Sequence, residues 1–106
     1  MDYKVVWSPA ALDDVDSIAA YIARDSELYA GAVVEKILET ARRLSQFPMA
    51  GRIVPELHED CVRERFIYSY RLIYQIQKDT VTVAAVIHGK RLFEPFIDKV
   101  KADEGD

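Results

Sequence analysis

The chain has 106 residues, half of them hydrophobic, and a formal net charge of −4. This length fits one domain and leaves no room for a second hydrophobic core. The longest apolar runs are far shorter than the roughly 20 residues that a membrane-spanning helix needs. An acidic total also argues against a protein that coats nucleic acid indiscriminately. We therefore expect one domain over residues 1–101 and an acidic, disordered tail at 102–106.

Charge is distributed unevenly along the chain. Residues 1–40 carry a net charge of −5, residues 41–97 carry +3, and residues 98–106 carry −2. This asymmetry indicates a basic face for an anionic partner, set against an acidic face in solvent. A mixed surface whose signs segregated by chance explains a net charge of +3 about equally well.

The expected compartment is the cytoplasm. The N-terminus has an acid at Asp2 and a strand-like pattern, without the basic start and long apolar middle of a secretory signal. Cys61 is the only cysteine, so the chain cannot form an internal disulfide, which agrees with a reducing compartment.

The first elements in chain order are a short strand and an amphipathic helix. Residues 3–7 are rich in β-forming side chains, and Ser8-Pro9 then provides a helix cap followed by a proline at the first helical position. Apolar residues recur at three- and four-residue spacing through about Arg24. They predict one buried stripe, formed by Leu12, Val15, Ile18, Ala19 and Ile22.

A second helix is predicted after Asp25-Ser26, where Ser26 can act as its cap. Phe47-Pro48 ends it, because the residue before a proline is pushed out of the helical region. The short connection predicts an antiparallel helical hairpin. The apolar face of this second helix is predicted to comprise Tyr29, Ala32, Val33, Ile37, Ala41 and Leu44.

The second half of the chain predicts strands. Residues 49–60 have no periodicity and are expected to form a loop, whereas from Cys61 onward the hydrophobic period is two. Three short strands follow, with Lys78-Asp79 as the turn between the last two, which predicts an antiparallel meander. The expected fold is α+β: an N-terminal strand, an α-helical hairpin and the meander, with the helices on one face of a four-stranded sheet.

Strand parity predicts which side chains point away from the helices. Leu72, Tyr74 and Ile76 alternate along one strand and are expected to pack under the helical hairpin. Arg71 and Gln75 then lie on the opposite face, which we expect to be open to a partner.

Several segments in this order resemble the RelE/ParE toxin superfamily, and its ParE-like branch in particular. The first segment comprises residues 7–11, which lead into Asp13-Asp14 and the helical segment 18–22. The other four are the middle loop at 47–56, the strands at 62–64 and 70–74, and the segment 87–91. The resemblance implies the toxin of a type II toxin-antitoxin, or plasmid stabilisation, system. It also implies a cognate antitoxin as partner, and either DNA gyrase or the ribosome with its mRNA as target.

The resemblance leaves the toxin's chemistry open. ParE-like toxins bind DNA gyrase, trap it on cleaved DNA and need no catalytic residues, whereas RelE-like members cut mRNA on the ribosome. RelE has a lysine pair on the strand that corresponds to 61–66 and a tyrosine near its C-terminus, where this chain has Phe96 and Ile97. The resemblance therefore favours an inhibitor over an enzyme, with the mRNA endonuclease as the alternative and a non-toxic antitoxin-binding module as a third interpretation.

The candidate residues follow from these alternatives. A nuclease would use His88 as base or acid, because an imidazole can both accept and donate a proton, and Arg71 and Arg91 to hold phosphate. His88 is about as consistent with a hydrogen-bonded structural histidine. Arg71 is also consistent with a cross-strand pair to Glu64, but a recognition role is favoured because we expect Arg63, Arg65 and Arg91 to lie nearby. Target binding is assigned to six basic residues, Arg52, Arg63, Arg65, Arg71, Lys90 and Arg91.

Three apolar residues on either side of Pro95 are assigned to antitoxin binding: Phe93, Phe96 and Ile97. They are expected to be covered by the antitoxin or, in a homodimer, by a second toxin copy. The spacing of His58 and Cys61 is reminiscent of a zinc site. The chain holds only three Cys and His residues, however, and a structural zinc site takes four ligands. We expect no metal, no cofactor and no membrane partner.

Overall fold

The computed structural model describes residues 2–89, which form a helical hairpin and one five-stranded sheet. The elements are β1 (Lys4–Trp7), α1 (Pro9–Ala23), α2 (Glu27–Arg43), a 3₁₀ turn (Pro48–Ala50), β2 (Arg52–Ile53), β3 (Val62–Ile67), β4 (Tyr70–Gln77) and β5 (Thr80–His88). The expected α+β fold, with its hairpin and its meander, is confirmed. The acidic tail at 102–106 lies outside the described residues, as do Lys90, Arg91, Phe93, Phe96 and Ile97.

Both helices begin at the predicted serine caps. The Ser8 hydroxyl accepts a hydrogen bond from the Ala11 amide at 3.0 Å, and Pro9 occupies the first helical position. The Ser26 hydroxyl accepts from the Tyr29 amide at 3.1 Å. Each cap satisfies an amide that has no partner within its own helix, so the two starts are fixed by local sequence.

The sheet has the strand order β1-β5-β4-β3-β2. The first and last strands pair in parallel, with Val5 opposite Val81, and every other pair is antiparallel. The β4–β5 turn falls at Lys78-Asp79 as predicted. Beyond the end of β1, the Asp14 carboxylate accepts a hydrogen bond from the Val86 amide at 2.9 Å, so α1 covers part of the β5 edge that β1 does not reach.

The main core lies between the helical hairpin and the sheet. Ile37 of α2 and Leu72 and Tyr74 of β4 are fully buried there, and Ile76 packs against them, as strand parity predicted. No helix within residues 2–89 is both long and apolar enough to cross a membrane.

The helix stripes differ from the prediction at several positions, among them Ala32, which was predicted on the apolar face of α2 and is exposed. Ala11, not Leu12, is fully buried in the first turn of α1, and Leu12 is half exposed. Tyr29 is also half exposed, whereas Ala30 and Thr40 are buried on α2. The buried positions of α2, at 30, 33, 37, 40, 41 and 44, still follow helical spacing, so the buried stripe is rotated away from Tyr29 and Ala32.

The segment predicted as a plain loop adds a strand and covers part of the face predicted to be open. Arg52 and Ile53 pair with Glu64 and Arg63 of β3, so the sheet has five strands instead of four. Val54 and Leu57 then pack on Val62 and Ile73, forming a second apolar cluster on the side of the sheet away from the helices. The expectation of a free second face was therefore wrong around Arg71.

Candidate target-binding surface

Arg71 lies in a buried cluster of opposite charges on the face away from the helices. Its side chain is only 6% exposed, and the Glu64 side chain is fully buried. Arg71 Nε donates to Glu64 Oε1 at 2.7 Å, and its Nη2 also contacts that oxygen. The two terminal nitrogens donate to the two carboxylate oxygens of Glu56, at 3.0 and 3.1 Å. The pair with Glu64, which was the less favoured alternative to a recognition role for Arg71, is therefore present.

The cluster continues to the protein surface through Arg52. Arg52 Nε donates to the second oxygen of Glu64 at 2.6 Å, and the Arg52 side chain is 60% exposed. Its guanidinium carbon lies 5.1 Å from the centre of the Phe66 ring, within the range of a cation–π contact. We call these four residues, Arg52, Glu56, Glu64 and Arg71, the ion cluster; their formal charges cancel.

These contacts shift the ionisation of two members of the cluster. The hydrogen bonds from Arg71 hold the pKa of the Glu56 carboxyl below its ordinary value of 4.5, against the opposing effect of burial. Burial lowers the pKa of the Arg71 guanidinium, but its hydrogen bonds with Glu56 and Glu64 outweigh that effect and raise it. Arg71 therefore stays protonated, and the Glu56 and Glu64 carboxylates balance its charge. This is a structural role for the guanidinium.

Glu56 is expected to make the stability of the fold depend on acidity. Its folded-state pKa lies below 4.5, so its contribution is complete above that value and is lost as the pH falls from about 4.5 through the folded-state pKa. Urea unfolding at pH 7 and at successive lower pH values tests this. The wild-type chain should lose more stability across the acid range than Glu56→Gln. Parallel losses in the two proteins would contradict the assignment.

Arg63 and Arg65 lie on the other side of the sheet. In the β3–β4 register Phe66 faces Arg71 and Arg65 faces Leu72, so the two β3 arginines share the helix-facing side. The expectation that they lie beside Arg71 was wrong, because adjacent positions of a strand project to opposite faces. Arg63 donates to the Gly51 carbonyl at 3.0 Å and to the Asp60 carboxylate at 3.0 Å. Arg65 donates to the Ala50 carbonyl at 3.3 Å and stays exposed.

Gly51 and Tyr74 fix the turn that leads into β2. The Gly51 amide donates to the Tyr74 hydroxyl at 2.9 Å, and that hydroxyl donates to the Pro48 carbonyl at 2.7 Å. A Cβ atom at Gly51 would lie 2.5 Å from the Glu64 carbonyl oxygen and 2.6 Å from the Tyr74 hydroxyl. Only glycine allows this close approach, so Gly51 determines how the arginine-bearing strands are placed.

Three exposed arginines lie around this turn, at the sheet edge that β2 forms: Arg52 beside Phe66 on the face away from the helices, and Arg43 and Arg65 on the helix-facing side. Arg52 and Arg65 come from β2 and β3, and Arg43 comes from the end of α2, where it lines a cleft of about 180 Å³ together with Phe47 and Arg65. Phe47, Met49 and Phe66 are each more than half exposed. We call these six residues the basic edge. Sequence reasoning missed Arg43, Phe47, Met49 and Phe66, because the end of α2, the 3₁₀ turn and β3 meet only in the folded chain.

His88 lies apart from Arg71. It pairs directly with Tyr70, and its ring meets the Tyr70 ring edge-on at 5.8 Å between centres. The neighbouring pair is Arg71 and Ile87, so His88 and Arg71 project from opposite faces of the sheet. Two of the three predicted nuclease residues, His88 and Arg71, are therefore not brought together in the fold. The third, Arg91, lies outside the described residues.

The family is decided by a match that covers most of the chain. Residues 5–93 match the family described as ParE toxin of type II toxin-antitoxin system, parDE. The chain belongs to the ParE toxin family. It is accordingly the toxin component of a type II toxin-antitoxin system within the RelE/ParE superfamily, as the sequence resemblance implied. None of the curated proteins compared with this ParE-family toxin matches it.

Solved structures have the same fold. The chromosomal ParDE system of P. aeruginosa superposes with a TM-score of 0.67 at 18% identity, over 81% of this chain and 95% of that one. A mutant of E. coli RelE in the free state gives 0.67 at 19% identity, over 96% and 98%. The RelBE2 toxin-antitoxin complex of Mycobacterium tuberculosis gives 0.60 at 22% identity, over 83% and 99%. At these identities the likeness concerns the fold alone.

Proposed function

We propose that this ParE-family toxin arrests growth by inhibiting DNA gyrase through the basic edge, and that a cognate antitoxin neutralises it. The observation that carries the proposal is the placement of the arginines. Arg71 is buried between two carboxylates, whereas Arg43, Arg52 and Arg65 project into solvent beside exposed aromatic rings. Arginine and aromatic side chains together are the composition of protein-binding hot spots.

The same placement argues against the RelE-like alternative. Cleavage of mRNA through a 2′-hydroxyl needs a base and cationic groups that converge on one phosphate. Within residues 2–89, His88 and Arg71 lie on opposite faces, and the charge on Arg71 is already neutralised by Glu56 and Glu64. An inhibitor requires no such convergence. The antitoxin as partner is supported by the family and by the M. tuberculosis structure, which is a toxin-antitoxin complex.

A supercoiling assay with purified gyrase tests the proposal. The wild-type toxin should inhibit supercoiling of relaxed plasmid. Arg65→Glu should need about tenfold more protein for half inhibition, because reversing the charge at residue 65 would place like charges opposite each other at the interface, which costs binding energy. Arg24→Glu is the matched control: it reverses one exposed arginine at the end of α1, outside the basic edge. The control should inhibit as the wild type does.

Three outcomes would contradict the proposal. Uninhibited supercoiling together with codon-linked cuts in ribosome-bound mRNA would identify a nuclease. Absence of growth arrest when the gene is induced without its antitoxin would leave a non-toxic antitoxin-binding module. Equal loss of inhibition in Arg65→Glu and Arg24→Glu would show that total charge, and not the basic edge, governs the effect.

A further inference from the structure

The cleft of about 180 Å³ within the basic edge opens where the end of α2, the 3₁₀ turn and β3 meet, and two guanidinium groups line it. Arg43 comes from the last turn of α2, and Arg65 comes from β3. We call this feature the arginine cleft. Among residues 2–89, no carboxylate lies in its walls. The other lining residues are uncharged: Thr40, Leu44, Phe47 and Ala50.

Charge compensation separates the two arginines of the cleft from the others of the sheet. Within the described part of the chain, neither Arg43 nor Arg65 forms an ion pair, and Arg65 donates only to the Ala50 carbonyl, at 3.3 Å. A cleft lined by one sign of charge concentrates the electric field and attracts a counter-ion. The remaining arginines of the sheet each have a carboxylate partner: Arg52, Arg63 and Arg71.

The other polar groups at the cleft are already engaged within the protein. The Thr40 hydroxyl donates to the Lys36 carbonyl at 2.7 Å. The carbonyls of residues 41–43, which end α2, accept from the amides of residues 44–47. The negative end of the helix is thereby satisfied and does not present free carbonyls to a ligand. The guanidinium groups therefore determine what the cleft binds, and they select an anion.

The size of the cleft and the origins of its arginines indicate the kind of anion. A volume of about 180 Å³ is smaller than the roughly 300–1,000 Å³ of pockets that enclose a small molecule, so the cleft suits a charged group presented by a larger partner. Its two guanidiniums come from separate elements, a helix and a strand. A tetrahedral phosphodiester offers diverging oxygens to two such donors, whereas a planar carboxylate pairs best with one guanidinium fork. Arginine contacts to backbone phosphates position a protein on nucleic acid.

We propose that the arginine cleft binds one backbone phosphate of the DNA that gyrase holds, with Arg43 and Arg65 donating to that phosphate together. Arg52 and Phe66, on the other face of the sheet edge, remain for contact with gyrase itself. The toxin would then recognise the enzyme and its DNA at once. The inference rests on the proposed function in one respect only, that gyrase is the source of the DNA.

Fluorescence anisotropy with two matched duplexes tests the cleft directly. The purified full chain is titrated into a labelled DNA duplex of about 20 base pairs, at salt concentrations from roughly 50 to 200 mM. The matched duplex has the same sequence and an uncharged methylphosphonate backbone. We expect the natural duplex to bind about tenfold more tightly at the lowest salt concentration, because the methylphosphonate removes the charge that the arginines meet.

Protein variants then locate the binding. Arg43→Gln and Arg65→Gln should each weaken binding of the natural duplex by about fivefold to tenfold and reduce the salt slope by about 1. Arg24→Gln, which removes an equal charge from an exposed position outside the cleft, should bind within about twofold of the wild type. The double variant at 43 and 65 should lose less than the product of the two single effects, because both arginines hold the same phosphate.

Four results would overturn the inference: no binding of the natural duplex, equal binding of the two duplexes, equal effects of Arg24→Gln and Arg43→Gln, or tighter binding of oligouridylate than of the duplex. A double variant whose loss equals the product of the single losses would place the arginines on separate phosphates and would also overturn it. The titration contains no gyrase, so the two proposals fail separately. A toxin that blocks supercoiling but binds no duplex would refute the cleft and retain gyrase as target. A toxin that binds the natural duplex but leaves supercoiling intact would refute gyrase as the source of the DNA and retain the phosphate site.

Discussion

Replacing Glu64 with alanine is expected to lower the free energy of unfolding by about 3–5 kcal/mol, because it removes one partner of a buried ion pair and leaves the other charge without full compensation. The Glu64 side chain is fully buried and accepts from both Arg52 and Arg71. Glu56 remains on Arg71 but is itself partly exposed. Urea unfolding followed by circular dichroism measures the effect. Glu59→Ala, an exposed glutamate outside the ion cluster, should change stability by less than about 0.5 kcal/mol.

A double-mutant cycle separates the interaction energy of the Arg71–Glu64 pair from the contribution that each side chain makes alone. Arg71→Ala alone should cost about as much as Glu64→Ala, whereas the double variant should cost less than the sum by about 0.5–3 kcal/mol. Additive effects would mean that the two residues do not stabilise the fold through each other. A loss below about 1 kcal/mol for Glu64→Ala would contradict the structural role given to the ion cluster.

Gly51→Ala is expected to be the second strongly destabilising change. The new methyl group would lie 2.5 Å from the Glu64 carbonyl oxygen and 2.6 Å from the Tyr74 hydroxyl, so the turn before β2 must move. Overpacking of this kind costs about 1–3 kcal/mol, and displacement of the Gly51 amide from the Tyr74 hydroxyl adds about 1 kcal/mol. Thermal and urea unfolding measure the loss.

Gly31 provides a matched control on α2. A Cβ atom there meets nothing within 4 Å, and the residue is exposed within the helix. Gly31→Ala should therefore stabilise the protein by roughly 0.5–1 kcal/mol, since alanine is the better helix former. If both glycine variants were equally stable, the close approach at Gly51 would not exist in solution.

The sequence predicts those parts of the fold that depend on neighbours in the chain. Ser8 and Ser26 cap the helices where expected, because an N-cap is decided within four residues. Leu72, Tyr74 and Ile76 face the helices because strand parity is strictly alternating. The turn at Lys78-Asp79 follows from two apolar strands separated by polar residues, although Lys78 adopts a positive φ of 56° that its side chain does not predict.

The remaining features depend on contacts between distant segments. A two-residue strand at Arg52–Ile53 has no periodicity to detect, and it exists because Glu64 and Arg63 of β3 are available to pair with it. For the same reason, parity placed Arg71 on the correct face but could not show that Glu56 pairs with it there. Tyr29 was predicted to be buried because it fits a helical apolar stripe, whereas in the fold it lies exposed beside Tyr68 of the β3–β4 turn.

The most direct test of the proposed mechanism is the accumulation of cleaved DNA in a reaction of purified gyrase, plasmid and toxin that is stopped with detergent and protease. The account predicts that linear DNA rises with wild-type toxin and with Arg24→Glu, and that Arg65→Glu needs about tenfold more protein to reach the same amount. An absence of linear DNA at toxin concentrations at which mRNA is cut on translating ribosomes would contradict it and make this ParE-family protein a nuclease.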